Sequence, residues 1–185
     1  MHEPVMTRIV LTYEDYAALP DDGKRYELHE GELSVTAAPG IRHQEILAKL
    51  AVILVPYVEA HRLGRIFLAP TDCLMTDTTV VQPDLVYVDN TRSHLVSERA
   101  IEGAPTLAVE IISPSTGHID RRRKMALYAT HGVTFYWIVD PVTRAIEVFR
   151  LESGAYRLDS KLEGSEPRAL PPFPDLLLDP AAIWP

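Results

Sequence analysis

The chain has 185 residues, 46% apolar and 24% charged, with 18 basic against 26 acidic side chains and a formal net charge of −8. That length suits one compact domain over 1–185 and is too short for two ordinary ones, while the apolar share excludes a disordered tail. No apolar run approaches the roughly 20 residues of a membrane helix, Met1–Thr7 lacks a secretory apolar block, and the single cysteine, Cys73, offers neither an internal disulfide nor a zinc cluster, so the expectation is a soluble, cytoplasmic protein.

Taken in chain order, Thr12 with Asp15 three residues on predicts an N-capped short helix to about Leu19, stopped by Pro20-Asp21-Asp22-Gly23. Arg25–His29 and Glu32–Thr36 alternate with period two around Glu30-Gly31, the pattern of a hairpin. From Ile41 to about Leu63, apolar residues (Ile46, Leu47, Leu50, Ile53, Leu54, Tyr57, Val58) recur at helical steps. Pro56 predicts a kink or break near Leu54, and Gly64 an end.

Strand-like runs follow at Ile66–Ala69, Cys73–Thr76 and Asp84–Val88. The next run, Thr106–Ile112, is almost continuously apolar, as a central strand covered on both faces must be. Ser113-Pro114-Ser115-Thr116-Gly117 stops it. A helix from about His118 to His131, closed by Gly132, leads to another apolar strand at Thr134–Val139, a right-handed crossover between parallel strands. Ala145–Leu151 and Ala155–Leu158, turned at Ser153-Gly154, form a last hairpin. The segment from Pro167 is expected to lie over the surface. The sum is an α/β mixed sheet flanked by helices, with hairpins toward both ends.

Glu110 resists a bland explanation. It lies among Ala108, Val109, Ile111 and Ile112, and a carboxylate in a central strand costs several kcal/mol unless paired, protonated or bound to a cation. Asp84 opens another apolar strand directly after Pro83. Two carboxylates on neighbouring strands supply hard oxygen ligands for Mg2+ or Mn2+. Glu110 lies roughly 10 Å back along its strand from Ser113. Lys124 lies roughly 9 Å back along the antiparallel helix, so the two side chains are expected level. An ammonium beside a two-carboxylate metal site can orient an attacking water and offset charge on a phosphorane-like transition state. Asp120, four residues before Lys124, is placed to hold it.

Pro83-Asp84, Glu110-Ile111-Ile112-Ser113-Pro114-Ser115-Thr116, Lys124 with Tyr128, and Tyr136-Trp137-Ile138-Val139-Asp140-Pro141 together resemble the Uma2 family of restriction-endonuclease-like proteins. Tyr26-Glu27-Leu28-His29-Glu30-Gly31-Glu32-Leu33 and His43-Gln44 fit the same family, which belongs to the PD-(D/E)XK nuclease superfamily. The resemblance implies a restriction-endonuclease-like fold in which Asp84 and Glu110 bind a divalent metal, the Ile111 carbonyl is a third ligand, and a lysine assists phosphodiester hydrolysis. The superfamily carries its lysine two residues after the second acid. Here that place is Ile112, so Lys124 stands in as a migrated substitute.

Blander readings stand beside these. Glu110 is alternatively a structural carboxylate paired with arginine, Asp84 a strand opener after a proline turn, and Lys124 part of a solvated run, Arg121-Arg122-Arg123-Lys124. Glu27 is either a further acid near the metal or half of a surface cross-strand pair. His43 either hydrogen-bonds a scissile phosphate or water, or caps its helix. Tyr136-Trp137 reads as core rather than a base-stacking platform.

The expected function is a divalent-metal-dependent phosphodiesterase acting on DNA, with Arg121–Lys124, Arg42, Arg62 and Arg65 available for phosphate contacts. The net acidity argues against broad electrostatic capture of a duplex. It suits the alternative of an interaction or regulatory protein, a homodimer through apolar strand edges and the C-terminal hairpin, that keeps the fold without turnover. A small-phosphoester hydrolase is the third possibility.

Overall fold

The computed structural model describes residues 9–36, 38–113 and 119–185, and the side chains of all of these except 119–121. Expectations for Met1–Thr7, for the stop beyond Ser113 and for the side chains of Asp120 and Arg121 lie outside the described residues. Helix α1, Tyr13–Ala17, starts where Thr12 predicts: the Asp15 carboxylate accepts from the Thr12 amide at 2.8 Å and its hydroxyl at 3.0 Å. It stops short of Leu19 because a residue preceding proline disfavours the helical conformation.

Strands β1 (Arg25–His29) and β2 (Glu32–Thr36) form the expected hairpin, paired antiparallel with His29 opposite Glu32. Their turn places Glu30 at φ 54° and Gly31 at φ 80°, the positive pair that a tight hairpin requires. Helix α2, Ile41–Ala60, buries Ile46, Leu47, Leu50, Leu54 and Val58. Burial of side chains of this size is worth roughly 1.5–3 kcal/mol each, which holds the helix on the sheet.

Two expectations for α2 need correction. Of the kink or break expected near Leu54, the break does not occur: the helix runs through Pro56, and the carbonyl that loses its partner belongs to Val52, a residue 74% exposed. Gly64 does not end the helix, which closes at His61 with Arg62 at φ 53°. Gly64 begins β3 (Gly64–Leu68), where a Cβ would collide with the Val88 carbonyl.

Strands β4 (Cys73–Thr76) and β5 (Thr79–Val81) form a second hairpin, and β5 also joins β1 through Leu28 and Val80. A three-residue run ahead of Gln82-Pro83 was too short to read as a strand. The four-stranded sheet has the order β2-β1-β5-β4. Next come β6 (Leu85–Asp89), a 3₁₀ turn (Asn90–Leu95) capped by Asp89, β7 (Leu107–Ile111), α3 (Ile119–His131), β8 (Phe135–Asp140), β9 (Ala145–Glu152) and β10 (Ala155–Leu162). The main sheet has six strands in the order β10-β9-β8-β7-β6-β3, parallel only between β7 and β8.

Alternation along β7 sorts its side chains onto two faces. Leu107, Val109 and Ile111 join the cluster beneath α2, while Ala108 joins Leu127 and Tyr128 of α3 on the other face. Glu110 shares the Ala108 side and so points toward α3.

The C-terminal segment corrects a further expectation. Strands β11 (Arg168–Leu170) and β12 (Phe173–Leu178) and helix α4 (Pro180–Ile183) are not a surface strap. Leu170, Phe173, Leu178 and Ile183 are all at most 1% exposed within the α2-side core. The Trp137 indole donates to the Pro171 carbonyl at 2.7 Å. Its prolines punctuate turns between apolar residues that complete that face. No helix among the described residues is long and apolar enough to cross a membrane.

Candidate active site

Three acids meet where the small sheet abuts β6, β7 and α3. Glu27, Asp84 and Glu110 are 2%, 2% and 9% exposed, burial that carboxylates tolerate only with partners. Leu85 pairs with Val109, so Asp84, one residue before it, reaches β7 beside Glu110. The Asp84 Oδ2 accepts the Ile111 amide at 2.8 Å.

Lys124 reaches in from α3. Its Nζ donates to Glu110 Oε1 at 2.9 Å and Glu27 Oε1 at 3.1 Å. Glu27 also accepts the Gln82 amide at 2.7 Å, and its Oε2 lies 3.1 Å from His29 Nε2. The Tyr128 hydroxyl, one helical turn beyond Lys124, donates to Glu110 Oε1 at 2.6 Å. Glu110 Oε2 takes no hydrogen bond from a described residue. Asp84 is held by Arg25 Nη1 at 3.0 Å on Oδ1 and by His43 Nε2 at 3.0 Å on Oδ2. Arg25 donates as well to the Gln82 carbonyl.

All five candidate side chains, Glu27, His43, Asp84, Glu110 and Lys124, therefore belong to one hydrogen-bonded group. Glu27 is not half of a surface pair, and Glu110 is paired with lysine and tyrosine rather than arginine. Arginine instead meets Asp84, and Arg25, Gln82, His29 and Tyr128 are the participants to which sequence reasoning gave no role. Arg25 and His29 had a signal, since they flank Glu27 at period two and share its strand face. Ile112 packs against the α3-side core, so the residue two places after Glu110 is apolar filling and the ammonium arrives from the helix instead. Of the other basic residues, Arg123 bonds Glu32, Arg42 donates to the Pro141 carbonyl at 2.5 Å and Arg65 lies over the Phe67 ring. Tyr136 and Trp137 are core residues, 1% and 0% exposed.

The three acids are not equivalent. Burial pushes Glu27 up, but the Lys124 charge, the His29 bond and the Gln82 amide outweigh it and hold the group at about 2. Asp84 is likewise lowered, burial being overcome by His43, Arg25 and the Ile111 amide. Glu110 goes the other way: burial, with the neighbouring charges of Asp84 and Glu27, exceeds what Lys124 and Tyr128 return. Burial alone would lower Lys124, yet Glu110 and Glu27 hold it above the usual ammonium range. Burial next to Glu110 keeps Tyr128 a neutral phenol. Among the described residues, three buried carboxylates thus share two obligate cations, Arg25 and Lys124, and the deficit falls on Glu110.

Among the described residues, no set of three or more His, Cys, Asp or Glu side chains is disposed to cage a metal ion. A magnesium-type site needs fewer, since it uses one or two carboxylates and keeps several waters. Asp84, Glu110 and a backbone carbonyl are the hard donors such an ion takes, and the uncompensated charge on Glu110 fits it.

A mixed sheet with α2 and α3 on opposite faces, and acids at the entry of β6 and inside β7, define a restriction-endonuclease-like fold. The chain belongs to the Uma2 family, whose model, described as "Putative restriction endonuclease", matches residues 13–181. Its fold is similar to that of a solved structure described as a putative nuclease belonging to DUF820 from Anabaena variabilis ATCC 29413. The TM-score is 0.77 at 20% identity, over 94% of this chain and 97% of that one. No curated protein matches the chain.

Proposed function

We propose that the protein hydrolyses phosphodiester bonds of DNA, with Mg2+ or Mn2+ held by Asp84, Glu110 and the Ile111 carbonyl. The observation that carries this reading is the charge imbalance among the described residues: three buried acids, two fixed cations, and a Glu110 oxygen that takes no hydrogen bond from them. The Ile111 amide points to Asp84, and in a strand the amide and carbonyl of one residue face the same side. Its carbonyl is therefore a donor on the Asp84 side. When bound, the divalent ion supplies Lewis acidity and a lowered pKa for the attacking water.

The chain's own groups do the rest. Lys124 directs its remaining proton toward the oxygen that gains charge during attack on phosphorus. Glu27 and Tyr128 fix the rotamers of Lys124 and Glu110, and Arg25 and His43 fix Asp84, so His43 acts through that carboxylate. Arg25, His43 and the Ile111 amide together occupy both Asp84 oxygens, which favours the second reading, a protein that keeps the fold without turnover.

Two measurements separate the readings. With Mn2+ at about one hundred times its dissociation constant, melting rises by about 5–11 °C, and Asp84→Asn abolishes the rise. Plasmid nicking in Mn2+ falls at least a hundredfold in Asp84→Asn and Glu110→Gln. A melting temperature indifferent to Mn2+, with no nicking, overturns the hydrolytic reading in favour of the silent one.

A further inference from the structure

A cleft of about 510 Å³ opens beside the acids, and Asp84 and Arg25 both line it. Its other walls include Tyr13 and Tyr16 of α1, Tyr26 of β1 and Lys24. Hydrolysis of a backbone phosphate calls for none of these rings. Tyr13 and Tyr16 stand three residues apart on one helical face and stack with centroids 6.0 Å apart and planes at 30°. Each ring is held by its surroundings. The Tyr16 hydroxyl donates to Asp72 at 2.7 Å and accepts from Gln82 Nε2 at 3.1 Å. The Tyr26 hydroxyl donates to Asp22 at 3.0 Å, and the Arg99 guanidinium lies 5.1 Å from the Tyr13 ring centre. Aromatic walls ordered before a ligand arrives lower the entropy cost of binding it.

Charge along the cleft leans acidic. Its lining sets Asp21, Asp72 and Asp84 against Lys24 and Arg25, Asp22 and Asp84 engage the two bases, and the chain as a whole carries −8. A ligand is not drawn in by counterion release, which dominates duplex binding. What the walls offer is aromatic contact surface next to Asp84. The volume lies within the roughly 300–1,000 Å³ range of small-ligand sites, enough for one nucleotide.

We infer that the Tyr13–Tyr16–Tyr26 cleft is a base-stacking subsite for an unpaired nucleotide of a DNA strand whose adjoining phosphate lies at Asp84. The inference rests on the hydrolytic reading for its phosphate and specifies its substrate: single-stranded or unpaired DNA in place of intact duplex. Stacking on an aromatic side chain is tolerant of sequence, so no strong base preference accompanies it.

The test is fluorescence anisotropy on the full chain with a labelled short single strand, the blunt duplex of the same sequence, and deoxyadenosine monophosphate as competitor, in EDTA and again with Ca2+. The single strand binds at least roughly tenfold more tightly than the duplex, with a slope of log K against log salt no steeper than about −1.5, equivalent to two phosphates. Tyr13→Leu weakens the single strand roughly tenfold, Tyr13→Phe restores it, and neither alters duplex binding. Equal or tighter duplex binding, no effect of Tyr13→Leu in a variant that melts like the parent, or a mononucleotide that binds as tightly as the strand overturns the inference. Cleavage of plasmid and of the labelled single strand in Mn2+ distinguishes the two proposals. Cleavage of either that requires Asp84, without single-strand preference in binding, leaves hydrolysis standing and removes the subsite. Tyr13-dependent strand binding with neither substrate cleaved does the reverse.

Discussion

Replacing Lys124 by methionine keeps most of the side chain's volume and removes the ammonium between Glu27 and Glu110. At 2.9 and 3.1 Å, each contact is worth about 5–6 kcal/mol of gross Coulomb energy at an effective dielectric constant of 20. Desolvation of the lysine opposes this gain, and breaking a buried pair by losing one partner costs about 3–5 kcal/mol net. The variant can discharge its excess by protonating Glu110, whose carboxyl burial and the neighbouring charges of Asp84 and Glu27 already push above the usual range. For a chain of this size the melting temperature should fall by about 6–20 °C at neutral pH. Because the penalty is that of keeping Glu110 protonated, it is full above the raised folded value and shrinks as pH falls toward the ordinary value of 4.5. Calorimetry of parent and variant across that range reads both effects. A fall of under about 2 °C at neutral pH, or a deficit that does not change with pH, would refute the view that the three acids depend on Lys124 for their charge balance.

Glu27→Gln should destabilise by about 3 kcal/mol at neutral pH. The folded value of Glu27 lies near 2, below 4.5, so its contribution is present above pH 4.5 and disappears as pH falls through about 2. Urea melts at stepped pH check this, a gap of constant size counting against it. Phe173→Ala should cost about 3–5 kcal/mol, the range for emptying an aromatic core position, whereas a surface strap would lose almost nothing. A urea midpoint within error of the parent would return the C-terminal segment to the surface.

Most of the main sheet and the central acids were legible because the chain declares them through local physics. Period two at Arg25–Thr36, helical spacing at Ile46–Val58 and the almost continuous apolarity of Thr106–Ile112 are properties of neighbouring residues. Glu110 announced itself because an ionised group in an apolar strand has to be compensated, and the rise per residue of strand and helix sufficed to bring Lys124 level with it. The β5 strand, the unbroken helix at Pro56 and the burial of Phe173 were not legible in this way. Each depends on what the rest of the molecule supplies: a pairing partner in β1, an exposed position for Val52, and an uncovered apolar face beneath α2.

The same division holds at the site. Sequence alone determined that a buried carboxylate, an aspartate after proline and a helical lysine exist at spacings that allow them to meet, because those are consequences of burial cost and backbone geometry. Only the tertiary structure decided that Arg25 faces Asp84 Oδ1, that Glu27 is a third buried acid, and that three tyrosines wall the approach. Those contacts join β1, α1 and α2 to strands far along the chain, and no local pattern encodes which surfaces come together once the core has closed.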